Sequence, residues 1–316
     1  MNSSDNHDAA VRKVLRGNIF LILASVAWGT TFVVQRTAMD HLGPFTYSGL
    51  RFLLGALFLL PLAAHRFTRK VSPGMGDARI KTSLLIGASC LTGSLVCLGI
   101  NLQQIGMIFT TAGKAGFITG LYVIIVPFLG VFLGHRANLG VWIGASLALA
   151  GLYLLSVTEA MTLAPGDAWI LASAFVWACQ VLTLGWLSPK IDTVMLAFGQ
   201  SFVCGVLSLL IALCVEDISM SAISAARIEI LYGGIISVGL GFTLQVSGQK
   251  YSPASHAAVI MQLEAVFAAL SGWIFLEEVM NSRALGGAAL MLVAMLVAQF
   301  LPSWRTLKAG QLLLPK

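Results

Sequence analysis

Residues 110–134, TTAGKAGFITGLYVIIVPFLGVFLG, form an almost wholly apolar run long enough to cross a bilayer, and the run occurs twice. Adding 142 to each number lays it, without a gap, on residues 252–276, SPASHAAVIMQLEAVFAALSGWIFL. Ala112 falls on Ala254, Ile118 on Ile260 and Leu121 on Leu263, while Lys114 meets His256 and Tyr122 meets Glu264. Upstream, Leu98, Gly99, Leu102, Gln103 and Gly106 fall on Leu240, Gly241, Leu244, Gln245 and Gly248; downstream, Gly144 falls on Gly286. One register kept from Leu98 to Gly144 marks an internal duplication, with polar residues at matching depths in both copies.

Only 10% of the residues are charged, against about a quarter in soluble domains, and 58% are hydrophobic. The chain therefore reads as an all-α integral membrane protein. Its net charge of +6 does not point to nucleic acid, because the basic residues sit in short loops between apolar spans, where they set topology. The five cysteines (Cys90, Cys97, Cys179, Cys204, Cys214) lie inside apolar stretches without metal-type spacing and read as buried packing residues. Neither a metal nor another cofactor is expected. The first apolar run is not a cleaved leader on this reading: Ala24, Ser25 and Trp28 have counterparts in Ser173, Ala174 and Trp177, at an offset of 149, so it belongs to the repeat.

Ten segments are long and apolar enough to span: 17–36, 44–64, 82–105, 110–134, 138–157, 167–188, 193–214, 228–249, 253–276 and 284–302. With the N-terminus inside, fourteen basic residues fall on the cytoplasmic side and three (Arg36, Arg227, Arg283) on the other, leaving Arg51 and Lys114 in the membrane. That asymmetry predicts cytoplasmic termini. A unit of five helices is odd, so its two copies enter the bilayer from opposite faces. The expected organisation is a tail 1–16, a first repeat 17–160, a second, inverted repeat 161–302 and a tail 303–316. The basic loop 65–81 reads as a topology anchor.

At this point the residues resemble a family. Trp28-Gly29, the run Leu50 to Leu54 around Arg51, AGKAGFITGLYVIIVP in the fourth span and LEAVFAALSGWIFLEE in the ninth are similar to the EamA-type members of the drug/metabolite transporter superfamily. The resemblance covers roughly residues 17–302. It implies an inner-membrane transporter that exports or exchanges amino acids, other metabolites, nucleotide sugars or drugs, with export as the expected direction; the inverted repeat itself suits alternating access. The first copy departs from the pattern by ending Gly134-His135-Arg136 where the family usually places a glutamate.

Several polar side chains fall inside spans, where an unpaired charge costs about 2.5–3.5 kcal/mol even on the lenient insertion scale. Arg51 in the second span either anchors a substrate carboxylate or forms a structural ion pair or carbonyl clamp. Lys114 and His256 occupy matching depths, so inversion places one basic group near each mouth of a pathway; Lys114 can equally snorkel to the interface. Glu264 is mid-span and must pair with a cation, Arg51 or Lys114, or hold a proton, which makes it the candidate for proton coupling. With Pro127 in the fourth span and Ala269 as its mate, the two copies are expected to bend differently at that level. Gln103 and Gln245, Trp28 and Trp177, and Tyr122 complete the candidate substrate-binding set, each with a packing or interhelical hydrogen-bonding alternative.

The leading reading is a secondary or facilitative transporter of small metabolites, amino-acid-like compounds first, with the bilayer, the substrate and protons as partners. A carboxylate would meet Arg51 or Lys114 and an ammonium Glu264. The competing reading is an intramembrane enzyme acting on lipid or peptide. It lacks an HExxH or GxSxG motif in its favour, and the chain carries no GxxxxGK[ST] for direct ATP drive.

Overall fold

A computed structural model of the chain describes residues 3–68, 82–109, 112–135, 137–156, 165–275 and 281–309. Outside them lie most of the basic loop 65–81, Arg136, the pair Glu277-Glu278 and the last residues of the C-terminal tail; the side chain of Lys114 is also outside. The described residues form helices joined by short turns, without a strand. Nine of their helices are long and apolar enough to cross a membrane, and Leu139–Leu155, the fifth segment, is a shorter apolar one.

The first span is one helix, Ser3–Ala38, which starts well before the apolar stretch. The second is Pro44–Thr68 and the third Thr82–Ile108. The fourth is split into Ala112–Gly120 and Tyr122–Phe132, and the fifth is Leu139–Ser156. The sixth and seventh are Pro165–Leu187 and Thr193–Val215, followed by a short surface helix, Met220–Ala225. The eighth passes through Arg227–Tyr232, a wide π-helical stretch Gly233–Phe242, and Thr243–Gln249. The ninth is split into Ala254–Met261 and Glu264–Phe275, and the tenth is Ser282–Ala309.

Polarity runs inside out, as a bilayer dictates. Along the third span Leu84, Ile86, Leu91 and Leu98 are exposed, while Thr92, Asn101, Gln103 and Gln104 are buried. Prolines open two helices, Pro44 and Pro165 being first residues, where the missing N–H is no loss.

The repeat is visible in how the helices pair. The second packs on the seventh and the fifth on the tenth, each helix against its own counterpart in the other copy. The remaining pairings come in matched sets: first on ninth and sixth on fourth, first on eighth and sixth on third, second on eighth and seventh on third. Counterparts run antiparallel. The Glu216 carboxylate, beyond the end of the seventh span, accepts from the backbone N–H groups of Phe45 and Thr46 at 2.9 and 2.8 Å and from the Thr46 hydroxyl at 2.6 Å, capping the start of the second. At the opposite end Asp192 caps the seventh span through the N–H groups of Val194 and Met195, and Arg66 of the second lies 3.8 Å from it. The fifth and tenth run close together because Gly151 and Gly287 each lie against the other's carbonyl; a Cβ on either would come within 2.7 Å of that oxygen. Two five-helix repeats of inverted topology account for the whole pattern.

The break in the fourth span is not at Pro127. The helix Tyr122–Phe132 runs on through that proline, and the interruption lies at Leu121. The second copy breaks at the equivalent place, Gln262–Leu263, with the same tightened bond: Leu121 N–H to Ile118 C=O at 3.2 Å and Leu263 N–H to Ile260 C=O at 3.1 Å. The two breaks touch. Gln262 Nε2 donates to the carbonyl of Gly120, its own counterpart, at 3.1 Å. A proline removes one donor without forcing a break, and here the break follows the contact on the two-fold axis. The copies differ instead at the eighth span, whose π-helical stretch corresponds to regular α-helix in the third.

Candidate functional site: a cavity on the two-fold axis

A cavity of about 60 Å³ lies between the repeats. Its walls are Trp28, Phe32 and Gln35 from the first span, Arg51 from the second, Ile100 and Gln103 from the third, and Thr119 and Tyr122 from the fourth. Trp177 and Val181 from the sixth, Ser237, Phe242 and Gln245 from the eighth, and Met261 and Glu264 from the ninth close it. Twelve of these residues form six repeat pairs: Trp28 with Trp177, Phe32 with Val181, Ile100 with Phe242, Gln103 with Gln245, Thr119 with Met261, and Tyr122 with Glu264. The cavity therefore straddles the two-fold axis. Its chemical asymmetry comes from Gln35, Arg51 and Ser237, which have no lining partner, and from the Tyr122/Glu264 exchange.

Arg51 is 1% exposed. Its Nη2 donates to Gln35 Oε1 at 3.2 Å, and its guanidinium stands 4.8 Å from the Tyr47 ring and 5.3 Å from the Phe52 ring. Its Nε is buried without a hydrogen bond, and among the described residues it has no carboxylate partner. The structural ion pair considered for Arg51 is not made among the described residues.

Glu264 is the first residue of the second half-helix of the ninth span, directly after the break. The turn of the break carries on into this half-helix, with the N–H groups of Ala265 and Phe267 bonded to the carbonyls of Gln262 and Leu263 at 3.2 and 3.0 Å. Among the described residues Glu264 makes no ion pair, with Arg51 or any other cation. One cavity therefore holds an arginine and a glutamate that do not neutralise each other.

The amides are used differently in the two copies. Gln103 Nε2 donates to Thr119 Oγ1 at 3.0 Å. Gln245 and Gln180 exchange amide hydrogen bonds at 3.3 and 3.1 Å, so Gln245 is a wall clamped by the sixth span. The aromatic wall centres on Phe242, whose ring centroid lies 5.2 Å from Trp28 and 6.3 Å from Trp177. Trp28 Nε1 donates to the Ser237 carbonyl at 3.1 Å, tying the first span to the π-helical stretch.

Seven of the nine expected residues meet at this cavity: Trp28, Arg51, Gln103, Tyr122, Trp177, Gln245 and Glu264. His256 does not line it. That residue sits in the half-helix before the break, so an unbroken helical register from His256 to Glu264 does not hold. The Lys114 side chain lies outside the described residues. Reasoning from the sequence passed over Gln35, Ser237, Thr119, Phe242, Ile100, Phe32, Val181 and Met261. The repeat offsets do not lead to them from the expected residues: Ile100 and Phe242, Phe32 and Val181, and Thr119 and Met261 pair only with one another, and Gln35 and Ser237 have no lining partner at all.

Comparison with known proteins agrees with this architecture. The profile of the EamA-like transporter family matches twice, over residues 15–157 and 164–299. An uncharacterized transporter of Archaeoglobus fulgidus is 29% identical, aligned over 90% of this chain and 86% of its own length. A WAT1-related chloroplast protein of Arabidopsis thaliana is 26% identical over 86% of this chain and 67% of its own length, and the Bacillus subtilis transporter YoaV is 23% identical over 88% and 94%. A solved crystal structure with 18% identity superposes with a TM-score of 0.74, covering 92% of this chain and 98% of the other, which shows a shared fold. Two matched halves, antiparallel counterparts and a cavity between them lead to one conclusion: the chain is a multi-pass membrane protein that belongs to the EamA-like transporter family.

Proposed function

We propose that the protein is a secondary transporter that exports small zwitterionic metabolites, amino-acid-like compounds first, across the cytoplasmic membrane by alternating access at this cavity, with both termini cytoplasmic. The observation that carries the reading is one cavity lined by both Arg51 and Glu264, with no ion pair between them. Arg51 offers a guanidinium fork to a carboxylate, Glu264 offers a counter-charge to an ammonium, and Trp28, Trp177, Phe242 and Tyr122 offer apolar surface to a side chain. Glu264 is also the group that would carry a proton when no substrate ammonium is present, coupling flux to a proton gradient. At about 60 Å³ the space suits a few waters or one small solute.

The test is uptake of a labelled amino-acid panel into proteoliposomes, with and without an imposed pH gradient, on the parent chain and Glu264→Gln. Transport of a zwitterion that responds to the gradient in the parent and ignores it in the variant supports the reading. Gradient-independent transport, unchanged in the variant, removes the coupling role. No movement of any zwitterion removes the substrate class.

A further inference from the structure

Away from the cavity, nucleophilic and metal-ligating side chains stand apart. Cys90, Cys179 and Cys214 are exposed, so they do not pack the core as the sequence led one to expect, and among the described residues no group of three or more Cys, His, Asp or Glu gathers. Polar groups converge instead at the cavity wall, where Gln35 bonds the guanidinium of Arg51.

Gln35 is 6% exposed, and its Oε1 accepts from Arg51 Nη2 at 3.2 Å. An arginine has donors and no acceptor, so the amide oxygen must face it, and the partner it offers is neutral. Of the five N–H donors of a guanidinium this bond uses one. The other neighbours add no counter-charge. The Tyr47 and Phe52 rings stand 4.8 and 5.3 Å from the guanidinium, and no carboxylate pairs with it among the described residues. Gly233 of the π-helical stretch lies against the stem, where a Cβ would come 3.2 Å from Arg51 Cδ.

This arrangement belongs to one copy. At the repeat offset of 149 the counterpart of Gln35 is Leu184, buried in an apolar cluster. The seventh span, counterpart of the second, contains no arginine. Amide and arginine are present together in the first copy and absent together from the second.

We propose that Gln35 sets the charge class of the substrate, an inference that rests on the zwitterion reading above: it is a positioning residue that holds the Arg51 guanidinium in the cavity wall without neutralising it. Arg51 and Glu264 are then both left to face one solute, and a zwitterion matches them. A carboxylate at position 35 would pair with the guanidinium and leave Glu264 as the charge offered to the solute. Such a cavity suits a cation, and a substrate carboxylate entering it would meet a like charge, which is discrimination by repulsion.

The experiment compares the full parent chain with Gln35→Glu and Gln35→Met in proteoliposomes, against protein-free liposomes, at a mildly acid pH. Its probes are the labelled amino-acid panel and the carboxamide of each member, which keeps ammonium and side chain and replaces the carboxylate by a neutral group. The parent should prefer acid to amide in kcat/KM. Gln35→Glu should lower that acid-to-amide ratio by about a hundredfold. Gln35→Met, uncharged and similar in size, should keep the preference for the acid but raise its KM by about tenfold, because the guanidinium loses its tether. Equal loss of acid and amide in Gln35→Glu, with the ratio unchanged, makes Gln35 a structural residue and overturns the proposal while the zwitterion reading stands. A parent that moves no acid, or moves acid and amide alike, removes the zwitterion reading and this proposal with it. If Gln35→Glu fails to fold, Gln35→Met decides: an unchanged KM for the acid, or an equal change for acid and amide, overturns the proposal.

Discussion

A guanidinium buried to 1% exposure among Gln35, Tyr47 and Phe52, with one nitrogen unbonded, is an expensive way to hold two helices together. Replacing buried charges by well-packed apolar groups of similar size is often neutral or stabilising, by up to about 4 kcal/mol, whereas removing a structural clamp destabilises. Arg51→Met therefore separates the two readings of this residue. The expected outcome is a thermal midpoint in detergent equal to or above that of the parent, together with loss of transport. A clearly lowered midpoint would make Arg51 a structural clamp after all. At this scale the sequence was informative about charges, because a charge inside an apolar span is conspicuous wherever it falls. It was silent on Gln35 and Ser237, which reach the cavity only through the packing of the first and eighth spans, and on the Gln35 amide as the partner of Arg51. His256 misled for a physical reason: equal depth along a helix says nothing about facing once the helix breaks between it and Glu264.

The element whose geometry matters most is the broken helix. The fourth and ninth spans interrupt at counterpart positions, and one side chain, Gln262, joins them through the Gly120 carbonyl. A Cβ at Gly120 would collide with Gln262 Nε2 and Leu152 Cδ2, so glycine there is set by the close approach of the two breaks. Gln262→Leu removes the bond and leaves a buried carbonyl unpaired, at a cost of about 1–3 kcal/mol. The expected outcome is a lower unfolding midpoint in a denaturing-detergent titration, with Gly120→Ala also lowered by overpacking, about 1–3 kcal/mol. An unchanged midpoint in Gln262→Leu would show that the breaks hold without their bridge. The duplication itself was legible as aligned apolar runs, since a span needs only length and hydrophobicity. The break was not, because propensity draws attention to Pro127, whereas the deciding contact pairs residues 142 apart. The π-helical stretch was equally hidden: Gly233, Gly234, Gly239 and Gly241 look like packing glycines until the second and first spans are seen pressing on them.

For the molecule as a whole, the inverted arrangement makes orientation a matter of loop charge alone, since the two halves are structurally close to interchangeable across the membrane. The proposed orientation puts fourteen basic residues on the cytoplasmic face against three on the other, and that bias should be decisive. Lys13 on the first helix and Ser221 on the short helix after the seventh span are both exposed and fall on opposite faces in this assignment. Introduced singly into a chain whose exposed cysteines are replaced by Ser, Ser221→Cys should react with a membrane-impermeant maleimide added to intact cells, and Lys13→Cys only after permeabilisation. The reverse pattern would turn the molecule over and make the proposed exporter an importer-facing one by geometry. Labelling of both in intact cells would mean a population inserted both ways. Moving charge should then move topology: replacing Arg12, Lys13 and Arg16 with Gln while adding Lys near Ser221 is expected to raise the fraction of Ser224→Cys protected in intact cells, because the energetic difference between the two insertions resides in those loops and not in the repeats.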